Sequence, residues 1–104
     1  MDALASTLSS EMEDYLETIA GLLRANGEAR VTDIAERLSV SKAGVTQAVR
    51  SLAEKGLVDY RPYVSPTLTE AGRRIAERVQ HRHDVLKRFL IKVLLIDPES
   101  AEAN

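Results

Sequence analysis

The sequence contains no cysteine and no tryptophan, and only one phenylalanine, three tyrosines and three prolines occur among its 104 residues. The absence of cysteine excludes a disulfide-stabilised fold and any thiolate metal site, and it is typical of a reducing compartment. The longest apolar run, Phe89 to Ile96, is interrupted by Lys92 and is far too short to span a membrane. The start of the chain, Met1 to Ala5, lacks the basic region of an export signal. We therefore expect a soluble protein of the cytoplasm.

The length of the chain limits it to about one compact unit with a modest core, because 44% of its residues are apolar. Such a core leaves little room for a deep substrate cleft. The sequence also shows no nucleophile with a matched base and no glycine-rich phosphate loop. We therefore expect a binding protein and not an enzyme.

The net charge of −2 hides a strong segregation of charge along the chain. Residues 1–40 carry three basic and eight acidic side chains, residues 41–92 carry eleven basic and five acidic ones, and residues 93–104 carry three acidic ones. A basic middle between acidic ends indicates one surface that faces an anion such as nucleic acid and another that suits a cation. Charged helix faces that contact only water would give the same segregation. The charge pattern alone therefore does not decide between binding surfaces and ordinary solvated helix faces.

The first third of the chain predicts two helices separated by a glycine turn. Ser10 begins a capping-box pattern for a helix over residues 10–25, which Asn26-Gly27 ends in a left-handed conformation. Arg30-Val31 predicts a short strand, and Thr32 predicts the cap of a short second helix.

Ser41 predicts the cap of a third helix, which runs to about Lys55 and is ended by Gly56. The side chains of this helix divide into an apolar stripe and an opposite face of short polar residues. The apolar stripe consists of Val45, Ala48, Val49 and Leu52. Two helices joined by a short turn, the second with such a polar face, are typical of a helix-turn-helix.

A hairpin and a long helix are predicted after the helix-turn-helix. β-forming residues over 58–61 and 67–69 flank a centre rich in proline, and this hairpin would be a wing. Pro66 cannot donate a ladder hydrogen bond, so we expect it at an open edge or in a bulge. Thr69 predicts the cap of a fourth helix over residues 70–94, about 37 Å long. The end of this helix carries more apolar side chains than one small domain can cover, which predicts a second copy of the chain as partner. Its stripe consists of Ile75, Val79, His83, Leu86, Leu90 and Val93, with Val85, Phe89 and Leu94 beside it.

Five strings occur in order along the chain: SEMEDYLETI at 10–19, VTDIAERL at 31–38, SKAGVTQAVRSLAEKGL at 41–57, LTEAG at 68–72 and RHDVL at 82–86. Together they resemble the diphtheria toxin repressor family of metal-dependent transcriptional regulators, most closely its manganese transport regulator branch. The resemblance covers about residues 10–99. It implies a mainly α fold with a small β-hairpin, in which a winged helix-turn-helix DNA-binding domain occupies residues 1–74. Residues 75–104 would begin a dimerisation and metal-binding domain with a long dimerisation helix. The family binds a palindromic operator as a homodimer when Mn(II), or alternatively Fe(II), is bound.

Asp14 and Glu17 lie three residues apart and therefore on one face of the first helix. Acidic residues near a helix N-terminus complement its dipole, which would explain this spacing by itself. The resemblance implies that these two carboxylates and His83 are metal ligands, a set suited to Mn(II) or Fe(II). An aspartate at position 14 looks like the manganese type, because iron-selective branches carry methionine there. Judged from its place on the apolar stripe alone, His83 would be a buried core histidine.

Residues 96–100 resemble the start of a further helix, with Asp97 as cap and Pro98 in its first turn. Because the sequence stops at Asn104, we expect that a C-terminal portion is missing. The remaining ligands of the family, a Glu or Cys followed three residues later by Glu and then His, would fall beyond Asn104. The ligands present therefore form an incomplete set, and Lys87 stands where iron-type members carry an ancillary Glu.

The polar face of the third helix and the tip of the hairpin are expected to contact DNA. The small Ala43 and Gly44 permit a close approach, and Ser41 can bind phosphate. Thr46 can offer its methyl group to thymine. Gln47 can make paired hydrogen bonds to adenine, and the resemblance places it at a base-contacting position. Further contacts to phosphate or groove are expected from Lys42, Arg50, Arg61, Tyr63 and Ser65.

Three functional hypotheses remain at this point. The first is a metal-regulated transcription factor, and the second is a DNA-binding protein that has lost metal control. The third is a winged helix that serves as a protein-interaction or dimerisation module without DNA, which the sequence pI of about 5.7 favours.

Overall fold

The computed structural model describes residues 8–96, which form four helices and one two-stranded antiparallel sheet. In chain order the elements are α1 (Ser10–Asn26), α2 (Val31–Leu38), α3 (Lys42–Glu54), β1 (Val58–Arg61), β2 (Val64–Leu68) and α4 (Glu70–Ile96). This order confirms the predicted winged helix-turn-helix followed by a long helix. The further helix start predicted around residues 97–100 lies outside the described residues. None of the helices in residues 8–96 combines the length and the apolarity needed to cross a bilayer.

Helix α1 begins with a serine cap and ends at a glycine, as predicted, but the cap is Ser9. Its side chain accepts a hydrogen bond from the Met12 amide at 3.1 Å. The prediction that Ser10 is the cap is wrong by one residue, because Ser9 has the extended backbone of a cap and Ser10 is already helical. Gly27 stops the helix with a positive φ of 77°.

The segment between α1 and α2 contains no strand, so the prediction for Arg30-Val31 is wrong. Helix α2 begins at Val31, and its cap position is Arg30, whose side chain makes no capping bond. Thr32 therefore lies inside the helix, and its predicted role as cap is also wrong. The buried Ala29 and Ile34 belong to the hydrophobic core. Their packing places the start of the helix at Val31, although no hydroxyl group caps it there.

Helix α3 follows a tight turn in which Ser39 has a left-handed backbone, with a φ of 57°. The predicted cap is confirmed, because Ser41 Oγ accepts a hydrogen bond from the Gly44 amide at 3.0 Å. One face of the helix is buried in the core. The buried residues are those of the predicted stripe, Val45, Ala48, Val49 and Leu52.

The wing is the hairpin of β1 and β2, whose ladder is irregular near its middle. Strand β2 begins at Val64, three residues earlier than the sequence predicted. Pro66 lies opposite the irregularity, as expected of a bulge, and its side chain is fully buried. The paired residues are Val58 with Leu68, Asp59 with Thr67, and Arg61 with Val64.

Helix α4 is fixed at its start and packs on the core with its first part. Thr69 Oγ1 accepts from the Gly72 amide at 3.1 Å and donates to the Gly56 carbonyl at 2.7 Å, which confirms Thr69 as the cap. Gly56 itself has a φ of 76°, as expected at the end of α3. The buried residues of α4 are Gly72, Ile75, Ala76 and Val79.

The second part of α4 leaves the core, and the molecule is 53 Å long as a result. Every described side chain from residue 81 to residue 95 is exposed. We call the apolar side chains of this segment the α4 apolar face. It consists of Val85, Leu86, Phe89, Leu90, Ile91, Val93, Leu94 and Leu95, which are 44–74% exposed.

Candidate metal site and nucleic-acid interface

Helices α1 and α4 are joined by two pairs of side chains. Oε1 of Glu13 lies 2.7 Å from Nη2 of Arg82, and the side chain of Glu13 is only 18% exposed. One turn further along α1, both carboxylate oxygens of Glu17 lie 3.0 Å from Nδ1 of His83. The structure thus brings together Glu17 and His83, which are two of the three predicted metal ligands.

Asp14, the third predicted ligand, is exposed on α1. Within residues 8–96, no three histidine, cysteine or acidic side chains lie close enough together to hold a metal ion. The donor chemistry of Glu17 and His83, one carboxylate and one imidazole, fits a divalent ion such as Mn(II) or Fe(II). The described residues therefore supply a two-donor cluster, and the participation of Asp14 remains a prediction.

His83 does not lie in the core. Its side chain is 51% exposed, because α4 has already left the domain one turn after Val79. The interpretation of His83 as a buried core histidine is therefore wrong. An exposed imidazole that faces a half-buried carboxylate is accessible to a ligand from solution.

Reversing the charges of the Glu13–Arg82 pair tests how strongly this pair joins α1 to α4. We expect Glu13→Arg and Arg82→Glu each to lower the free energy of unfolding by about 1 kcal/mol, because like charges then meet at the helix contact. The double variant should recover about half of the combined loss or more. Urea unfolding followed by circular dichroism measures these changes. Losses that simply add in the double variant would contradict a direct pair, and Glu11→Arg, at an exposed position of the same helix, is the control.

The outer face of α3 carries the side chains predicted to contact DNA. The cap bond uses the oxygen of Ser41, so its hydroxyl hydrogen can still be donated to a phosphate. A Cβ at position 44 would lie 3.2 Å from Ser41 Oγ, a tight contact with the side chain that caps the helix. Gly44 and Thr46 are half-buried, and the exposed side chains of this face are Lys42, Ala43, Gln47 and Arg50.

The tip of the wing presents two of the predicted residues to solvent. Tyr63 is fully exposed and has a positive φ of 65°, a strained conformation for a tyrosine. Arg61 is exposed at the end of β1. Both side chains are therefore accessible from solution.

Ser65, unlike Arg61 and Tyr63, is half-buried, and its hydroxyl group makes a hydrogen bond within the protein. Its Oγ donates to Oε2 of Glu28 at 2.7 Å, and Oε1 of Glu28 accepts from Nε of Arg30 at 3.4 Å. The hydrogen bond from Ser65, with the bond and the charge of Arg30, lowers the pKa of the Glu28 carboxyl. Sequence reasoning missed Glu28, since no local pattern marks a contact between side chains 37 positions apart.

The fold combines a helix-turn-helix with a β-hairpin beside it and a long helix after it. The second helix of the helix-turn-helix has one exposed face. Together these features define the winged-helix class of regulators. The sequence agrees with this architecture at the level of the family. It matches the profile of the iron dependent repressor N-terminal DNA binding domain over residues 7–65. It also matches that family's metal binding and dimerisation domain over residues 69–104. The chain belongs to the iron dependent repressor family, which confirms the resemblance seen in its sequence.

Several relatives are transcriptional regulators. The chain is 39% identical over 93 residues to the transcriptional regulator MntR of Escherichia coli O6:H1, which covers 89% of this chain and 59% of the relative. It is 40% identical over 88 residues to the HTH-type transcriptional regulator MntR of Bacillus subtilis, which covers 85% of this chain and 61% of the relative. The chain thus spans about three fifths of the length of these relatives. Because these relatives are transcriptional regulators, the expectation that the chain is not an enzyme is confirmed.

The same fold occurs in solved structures of other proteins. ZitR of Lactococcus lactis aligns with a TM-score of 0.72 and 26% identity, over 93% of this chain and 66% of that one. The adhesin competence repressor AdcR of Streptococcus pyogenes aligns with a TM-score of 0.72 and 24% identity, over 86% of this chain and 66% of that one. The second likeness concerns the fold alone.

Proposed function

We propose that this chain binds a palindromic DNA operator as a homodimer and that Mn(II), or alternatively Fe(II), controls the binding. The observation that carries the proposal is the contact of Glu17 with His83, which places two suitable donors between α1 and α4. The relatives named as transcriptional regulators support it, as does the family match to a metal binding and dimerisation domain. In this proposal the protein acts in the cytoplasm as a repressor of genes of metal-ion homeostasis.

Helix α3 is the recognition helix of this proposal. Gln47 is exposed in its second turn and can pair with N6 and N7 of adenine, and the methyl group of Thr46 can contact thymine. The helix start, with the cap Ser41 and the small Ala43 and Gly44, suits a close approach to a phosphate. The phosphate and groove contacts would come from Lys42, Arg50, Arg61 and Tyr63, whose side chains are exposed.

Asp14, Glu17 and His83 would hold the metal ion, two of them from α1 and one from α4. The ion supplies positive charge that offsets the repulsion between the two carboxylates. His83 would supply a nitrogen donor, and Glu17 already faces it at 3.0 Å. Because these residues connect α1 with α4, order at this contact sets the direction in which α4 leaves the winged helix. That direction sets the spacing of the two recognition helices in a dimer.

The two proposed activities belong to consecutive parts of the chain. We place the DNA-binding part in residues 1–74, and the dimerisation and metal-binding part from residue 75 onwards. The two family matches, over residues 7–65 and 69–104, support this division. The second copy of the chain would cover the α4 apolar face, which the winged helix leaves exposed.

Fluorescence anisotropy on AT-rich palindromic duplexes, over a salt series with and without Mn(II), tests the proposal. We expect Mn(II) to strengthen binding at least about tenfold, a coupling in the usual range for allosteric effectors. The logarithm of the binding constant should fall with the logarithm of salt, with a slope of roughly 0.9 for each phosphate contacted. Asp14→Ala should remove the response to Mn(II) and leave the salt slope unchanged.

Glu11→Ala is the matched control, because it removes one exposed carboxylate from the same helix outside the proposed ligand set. It should keep the response to Mn(II). Salt-sensitive binding that ignores Mn(II) would contradict metal control and leave a DNA-binding protein. No binding at any salt concentration would contradict the whole proposal in favour of a protein-interaction module.

A further inference from the structure

The wing is a hairpin of two strands whose ladder is irregular near its tip. Two-stranded hairpins are marginally stable without other support, and the ladder of β1 and β2 is irregular between Asp59 and Arg61. Pro66, opposite this irregularity, cannot donate a backbone hydrogen bond. The buried Val58 and Pro66 anchor the base of the wing in the core. The part beyond them, residues 61–65, needs another support to keep a fixed direction.

Glu28 supplies such a support from outside the hairpin. It lies in the loop between α1 and α2, and its Oε2 accepts a hydrogen bond of 2.7 Å from Ser65. Ser65 is the last residue of the tip before the buried Pro66. Arg30 binds the other carboxylate oxygen at 3.4 Å. The loop that starts the helix-turn-helix is thereby tied to the strand that returns from the wing tip.

We propose that Glu28 is a positioning residue that, through Ser65, fixes the tip of the wing relative to the recognition helix. A carboxylate close to a DNA-binding surface repels phosphate, so Glu28 does not promote DNA binding through direct contact. Glu28 promotes DNA binding indirectly, because it fixes the direction in which Arg61 and Tyr63 point. This step rests on the proposed function. Ser65 then acts inside the protein and does not touch DNA itself.

Hydrogen exchange measured without DNA tests the anchor itself. We expect the amides of Arg61, Tyr63, Val64 and residue 65 to exchange about tenfold faster in Ser65→Ala than in the unchanged protein, because the tip then opens more often. Ser65→Thr keeps the hydroxyl and should restore most of the protection. Thr67→Ala removes an exposed hydroxyl from the same strand and is the matched control. Unchanged exchange in Ser65→Ala would overturn the proposal.

Anisotropy on the duplexes described above tests the consequence for DNA. Ser65→Ala should weaken binding about three- to tenfold, and Glu28→Ala should weaken it similarly although it removes a negative charge. The double variant should be no weaker than either single variant, because both act on one contact. Additive losses would show that Ser65 contacts DNA directly, and tighter binding by Glu28→Ala would show that only its charge matters; either result overturns the proposal. If the unchanged protein binds no DNA, the proposed function fails, and the exchange measurement still decides whether the anchor exists.

Discussion

Replacing Gly72 by alanine is expected to lower the free energy of unfolding by about 2–3 kcal/mol, in the upper range for overpacking a buried site. A Cβ at this position would overlap the carbonyl oxygen of Leu57, which is backbone and cannot move aside as a flexible side chain would. That carbonyl also accepts a hydrogen bond from the Thr69 amide at 3.2 Å. The new methyl group therefore forces α4 away from the start of β1 and disturbs the Thr69 cap.

Thermal unfolding followed by circular dichroism should show the melting temperature of Gly72→Ala lowered by roughly 10–20 °C for a domain of this size. Gly21→Ala is the matched control, because Gly21 lies inside α1, where a Cβ meets only the end of Arg24 at 3.9 Å. Alanine is favoured over glycine inside a helix by up to about 1 kcal/mol, so this control should raise the melting temperature. A Gly72→Ala variant as stable as the unchanged protein would contradict the close approach of α4 to Leu57.

Placing glutamates on the α4 apolar face at Leu86 and Leu90 is expected to convert the proposed homodimer into a monomer. The two side chains are 56% and 51% exposed in the single chain, so the substitutions disturb no contact with the winged helix. A charge buried in an apolar interface without a partner costs several kcal/mol. The monomer loses the joint binding of two half-sites, so operator affinity should fall about a hundredfold.

Analytical ultracentrifugation measures the oligomeric state, and anisotropy measures the affinity for the operator. The control is Arg88→Glu with Lys92→Glu, which adds at least as much negative charge on the opposite side of the same helix. This control should remain a dimer. Circular dichroism should show both double variants folded. A Leu86→Glu/Leu90→Glu variant that stays dimeric would contradict the α4 apolar face as the site of the second copy.

The parts of the fold that local chemistry determines could be predicted from the sequence. Ser41 and Thr69 cap α3 and α4 as expected, because a hydroxyl three residues before a free amide is a local signal. Capping also shows the limit of this reasoning, since Ser9 and Ser10 are both serines and only the backbone geometry chooses between them. The cap position of α2 is Arg30 and not Thr32, because burial of Ala29 and Ile34 outweighs the local preference of threonine for a cap.

The candidate sites depend on contacts that no local pattern contains. The Glu17–His83 contact joins residues 66 positions apart, and only the family resemblance indicated it. The Glu13–Arg82 pair, which was not predicted, joins residues 69 positions apart. The exposed face of α3 could be predicted, because helical periodicity separates it from the buried stripe.

Helix α4 is one unbroken rod that carries both His83 and the α4 apolar face, and this continuity makes it a lever. Val79 is its last buried residue in the described part of the chain, so the remaining 17 positions to Ile96 project about 25 Å from that pivot. A tilt of about 10° at the pivot moves the far end by about 4 Å. Glu17 and His83 meet one turn beyond Val79, close to the fulcrum. A change of about 1 Å between these two side chains is therefore magnified about fourfold, into a displacement of about 4 Å at the far end of the rod.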